Sequence, residues 1–76
     1  MDTEIQKAEA LYQTQLRPLL EPVQKGKYVA IDVPSGEYFV GEEILDAYHK
    51  ASQKYPNRTF VFKRIGYPVA RLIGSR

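Results

Sequence analysis

Several kinds of residue are missing from this chain, and each absence closes a route. There is no cysteine, so neither a disulfide staple nor a thiolate metal ligand is available. The single histidine, His49, cannot build a zinc site without several carboxylates converging on it. Tryptophan is absent as well. No run approaches the roughly 18 consecutive apolar residues of a membrane span, and the acidic, amphipathic start differs from a secretory signal with its basic opening and apolar middle. These features lead us to expect a soluble, cytoplasmic protein without membrane association. Beyond Asp46 there is no acidic residue at all.

That last absence matters most, because the net charge of +2 conceals it. Residues 1–49 hold all nine acids against Lys7, Arg17, Lys25 and Lys27, which leaves −5. Residues 50–76 hold Lys50, Lys54, Arg58, Lys63, Arg64, Arg71 and Arg76, which gives +7. The polarity can be resolved internally, by acids of the first part meeting cations of the second, or it can be offered to an anionic partner or to a second copy of the chain.

What is present reads as one α+β domain over 1–76: an amphipathic N-terminal helix in 1–25, then a ββαββ unit in 26–76 forming a small sheet packed on one central helix. Ile5, Ala8, Leu11, Tyr12, Leu16, Leu19, Leu20 and Val23 recur at threes and fours, the period of an apolar helical stripe. Thr3 and Gln6 have the spacing of a capping box. Pro18 lacks the N–H that would reach the Thr14 carbonyl, so a kink near Arg17 or a break with Pro18 opening a second piece is expected. Pro22 should limit that piece, and Gly26 should be its left-handed exit.

Lys27–Val33, rich in β-branched and aromatic residues, reads as a strand closed by the Pro34-Ser35-Gly36 turn. Glu37–Val40 returns as its hairpin partner. Gly41 ends that strand, and Glu42 and Glu43 suit the positive end of a helix running to the Tyr55-Pro56 stop. Thr59–Ile65 is a third strand, with a second hairpin through Gly66-Tyr67-Pro68 to 69–73. The third strand pairs either parallel with the second or beside the first. Val29 and Ile31 are apolar on one face of the first strand and Ala30 on the other, while Phe60 and Phe62 oppose Val61 and Ile65 on the third. Both sheet faces therefore need cover, from the two helices or from a second copy in a homodimer.

No catalytic constellation emerges. His49 lies on a helix with no orienting acceptor, no serine sits in a strained elbow, and Gly36 and Gly41 match no phosphate-binding spacing. Glu42, Glu43 and Asp46 are explained by a helix start without a metal. We therefore expect neither enzyme activity nor a cofactor. Lys63, Arg64, Tyr67 and Arg71, on the last two strands, mix cations with a ring and form the candidate binding set. With Phe60 and Phe62 they also have the composition of a single-strand nucleic-acid platform, unless those phenylalanines are core.

Gly26-Lys27-Tyr28-Val29-Ala30-Ile31, Ser35-Gly36-Glu37, Gly41 before a helix with Ala47 and Ala51, Lys54-Tyr55-Pro56 and Phe60–Gly66 resemble a family of small uncharacterised bacterial and cyanobacterial proteins of the Gly-Lys-aromatic-Val-Ala type. The strand, glycine, acidic helix order is also similar to HicB-type antitoxins. That second resemblance implies a non-enzymatic, bacterial, antitoxin-like module: the small partner of a two-gene pair, binding a protein through a strand edge and a basic sheet surface. Nucleic-acid binding by the basic, aromatic C-terminal strands is the other expectation.

Overall fold

In a computed structural model, residues 3–67 and 70–74 are described, with side chains for 3–67. Helices α1 (Thr3–Leu11) and α2 (Arg17–Gln24) are joined by a π turn, Tyr12–Leu16, and are followed by strands β1 (Tyr28–Asp32) and β2 (Glu37–Gly41). Helix α3 (Ile44–Lys54) leads to β3 (Thr59–Arg64) and β4 (Ala70–Gly74). The α+β class is as expected. The sheet has the order β2-β1-β3-β4 with every neighbour antiparallel, so the third strand lies beside the first.

The first helix does not break at Pro18; it widens. An α-helix would leave the Thr14 carbonyl facing the proline ring, and the chain instead adopts the looser hydrogen bonding in which the Arg17 N–H reaches the Tyr12 carbonyl. Thr14 Oγ turns back to the Ala10 carbonyl at 2.7 Å. This widening also aligns the core stripe. Ala8, Tyr12, Leu16 and Leu20 are all buried at a strict spacing of four, whereas an ideal α-helix would rotate the last of them about 120° from the first. Pro22 does not limit α2, which continues to Gln24. Pro22 and Pro18 are both exposed, so losing the hydrogen bond to the Pro18 carbonyl falls on the outer side of the helix, where water can replace it. Gly26, at φ +93°, makes the left-handed exit.

Two expected caps are corrected. Thr3 is already helical, so it does not open a box with Gln6. Glu42 and Glu43 precede α3 instead of forming its first turn, and Asp46 reaches back to accept the Glu42 N–H at 3.1 Å. Gly41 has no space for a side chain: an added Cβ would lie 2.9 Å from Ala47 Cα, because the first turn of α3 rests directly on the end of β2.

The sheet is covered twice. Val29, Ile31, Val61 and Ile65 meet Ala8, Tyr12, Leu16 and Leu20 of the first helix on one face. Ala30, Phe60 and Phe62 meet Ala47 and Ala51 of α3 on the other. The central helix is thus one cover of two, and this chain's own N-terminal helix supplies the second. Tyr48 packs edge-on to Phe60 with ring centroids 6.1 Å apart.

One ion pair closes the end of the sheet opposite Gly41. Asp32 is fully buried, and its two oxygens accept Arg58 Nη1 at 2.9 and 2.7 Å while Ser35 Oγ donates at 2.7 Å. The Arg58 guanidinium also lies 4.7 Å from the centre of the Tyr55 ring. Removing the arginine leaves a buried carboxylate with only a hydroxyl. Urea denaturation of Arg58→Ala should show a loss of about 3 kcal/mol. Lys54→Ala, which breaks a solvent-exposed pair with Glu37, should move the urea midpoint far less than Arg58→Ala does.

Candidate functional site

The polar charge distribution is largely settled inside the fold. Of the cations after residue 49, Lys50 meets Asp46 at 3.7 Å, Lys54 meets Glu37 at 2.9 Å, Arg58 meets Asp32, and Lys63 meets Glu9 at 3.3 Å. Bonding to the Lys54 ammonium holds the Glu37 carboxyl below its ordinary range and raises the lysine in turn. Among the cations of this group whose side chains are described, Arg64 is the one without a carboxylate.

The four residues expected to form a basic surface do not point one way. Lys63 and Arg64 are consecutive on β3 and project to opposite faces. Lys63 turns inward under the first helix and is 3% exposed. Its ammonium donates to Glu9 Oε2 and, at 2.9 Å, to the Tyr67 carbonyl, and it stands 5.0 Å from the centre of the Tyr12 ring. It is therefore corrected from a presented cation to a buried, paired one. Arg71 lies on β4 in register with Phe62, but its side chain falls outside the described residues.

Arg64 is exposed, with its guanidinium against two rings and a carbonyl. Its guanidinium carbon is 4.5 Å from the centre of the Tyr67 ring and 5.5 Å from that of Tyr28, the residue opposite it on β1. Nε donates to the Gly26 carbonyl at 3.1 Å. Tyr67 is 43% exposed, so a ring, a cation and a second ring meet at the surface beside the β3–β4 turn. Phe60 and Phe62, by contrast, are core and closed to any base.

On the other face of β3 is a polar cluster that sequence reasoning missed. Tyr12 is buried, donates its hydroxyl to Glu21 Oε2 at 2.9 Å and accepts the Gly66 N–H at 3.1 Å, so it ties the π turn to the β3–β4 turn. Arg17 completes the row, with Nε 3.3 Å from Glu21 Oε1 and Nη1 2.9 Å from Gln13 Oε1. A cavity of about 240 Å³ opens among Glu9, Tyr12, Arg17, Glu21, Lys63 and Tyr67. A tyrosine inside an apolar stripe was the available signal, since a buried phenol needs a partner for its hydroxyl.

His49 is exposed on α3, and the Ser52 hydroxyl bonds its backbone carbonyl, not its ring. Among the described residues no three acids or histidines stand together as metal ligands, and no helix is long and apolar enough to cross a membrane.

Burial raises the Tyr12 phenol above its ordinary value of 10.0. The folded state then keeps a proton that the unfolded chain releases, so stability holds below pH about 10 and falls as pH rises from there through the folded value. Tyr12→Phe should cost about 1–2 kcal/mol near neutrality, by stranding the Gly66 N–H, and should flatten the alkaline limb in chemical denaturation measured across pH. Comparison with protein-family models, curated proteins and solved structures returned no match.

Proposed function

We propose that this chain is a non-enzymatic interaction module of the cytoplasm, antitoxin-like in serving as the small partner of another protein. It would engage that protein through the Tyr28–Arg64–Tyr67 surface and the neighbouring β4 edge. The observation that carries this reading is the state of Arg64: four other cations of the basic half are taken by acids of the same chain, whereas Arg64 has two rings and a backbone carbonyl instead. Arginine and tyrosine are the residues over-represented where protein interfaces concentrate their binding energy, and a guanidinium already held by two rings and a carbonyl loses less freedom on binding. Four N–H groups of Arg64 have no partner among the described residues, and their fork matches a carboxylate.

The strand edges support the same direction. At the β2 edge, Lys50 of α3 donates to the Val40 carbonyl at 2.9 Å and Lys54 holds Glu37. Lysines along an edge discourage another strand from adding there. The β4 edge is on the Arg64 side of the sheet, separated from those lysines by two intervening strands. Nucleic-acid binding is less well supported, because Phe60 and Phe62 are core and Lys63 is paired, which removes three members of the proposed stacking platform.

The test is capture by the tagged full-length chain at high salt, followed by calorimetry with the protein recovered. Arg64→Ala should weaken binding by about 30-fold and Arg64→Lys by about 10-fold, with circular dichroism unchanged. Equal binding by all three forms would refute the surface. Tight binding to single-stranded oligonucleotides that collapses with salt, with no protein retained, would establish the nucleic-acid reading in its place.

A further inference from the structure

We infer that the cavity between the π turn and the β3–β4 turn is a binding site for a small zwitterion of the α-amino-acid class. The site shares Tyr67 with the Arg64 surface, but Lys63 and Arg64 leave β3 on opposite faces, and the two readings are tested with different residues and different probes.

The case begins with Lys63. The residue is 3% exposed and lines the cavity, and among the described residues two of the three N–H groups of its ammonium have acceptors, Glu9 and the Tyr67 carbonyl. A cation whose role is only to neutralise Glu9 would keep its charge in water and bury its stem. Here the charged end is withdrawn from solvent and placed against an open space. Arg17, across the same space, uses Nε on Glu21 and Nη1 on Gln13, which leaves Nη2 without a partner among the described residues.

Charge balance selects the ligand. Glu9 and Glu21 offset Arg17 and Lys63, so the lining is neutral while its signs are separated around one cavity. A simple anion would add uncompensated charge to a partly enclosed space, as would a simple cation. A zwitterion adds none: its carboxylate has the open N–H positions of Lys63 and Arg17, and its ammonium has the carboxylates of Glu9 and Glu21. Size agrees. At about 240 Å³ the cavity falls below the range of about 300–1,000 Å³ typical of cofactor and drug-sized ligands, which excludes a nucleotide and admits a molecule of a few heavy atoms.

The frame is rigid where the ligand would rest. Tyr12 is fixed by hydrogen bonds to both Glu21 and the Gly66 N–H, so one wall belongs to the first helix and the sheet at once. The π turn contributes Tyr12 and, one residue beyond its end, Arg17. Such turns within α-helices are frequent at functional sites.

The experiment is a two-dimensional amide NMR titration of the full chain at neutral pH and constant ionic strength, with L-alanine, propionate and ethylamine as probes. Alanine should shift the Gly66 and Tyr12 amides saturably, with the other two probes binding at least 10-fold more weakly. Lys63→Met, which keeps the buried stem, should reduce alanine affinity at least 10-fold. Arg17→Gln, at an exposed position, should do the same and serves if the lysine variant fails to fold. Absence of a saturable alanine shift would overturn the proposal. So would propionate or ethylamine binding as well as alanine, or unaltered alanine binding in the folded variants.

Discussion

The structure depends on one constraint: β1 and β3 lie side by side at the centre of the sheet and are apolar on both faces, so each face has to be covered. A chain of 76 residues has little surface to spare, since a domain of this size buries only about 60% of what its unfolded chain exposes. Both covers come from the chain itself, α3 over β2 and β1 and α1 over β3 and β4. The offset explains much of the rest. The side of β2 near α3 is crowded enough that Gly41 must be glycine, while the β3–β4 turn, at the opposite margin, gathers the polar cluster on one face and the Tyr28–Arg64–Tyr67 group on the other.

Charge follows the same geometry. The two halves of opposite sign are interleaved: Glu9 crosses to β3, Asp32 to the loop after α3, and Glu37 to the end of α3. The three links are not equivalent. The exposed Glu37–Lys54 pair contributes little, whereas Asp32 and Lys63 are buried groups whose partners cannot be removed without cost. A charge distribution that resembles a basic binding surface in one dimension is therefore mostly a set of internal ties. Arg64 is conspicuous because it escapes this pattern.

The π turn links local chemistry to the site. Pro18 forces a departure from α geometry one turn upstream, and the departure brings Tyr12 and Leu16 into line with Ala8 and Leu20. A residue that would ordinarily damage a helix here sets the spacing of its buried stripe and the position of the polar cluster beside it.

Much of the architecture was determined by sequence alone. The hairpin after Pro34-Ser35-Gly36, the α3 stop at Tyr55-Pro56, the left-handed Gly26 and the core positions of β1 and β3 all follow from short-range rules of backbone freedom and side-chain alternation. Those rules act within a few residues. Only the tertiary structure decided which cations were free, because Lys63 and Arg64 are indistinguishable neighbours until the sheet sends one beneath α1 and the other between two rings. Only the fold, likewise, could bring Tyr12, Glu21, Lys63 and Gly66 together. Pro18 announces that the helix must depart from α geometry, but which face of β3 that helix covers is a long-range outcome that no local rule fixes.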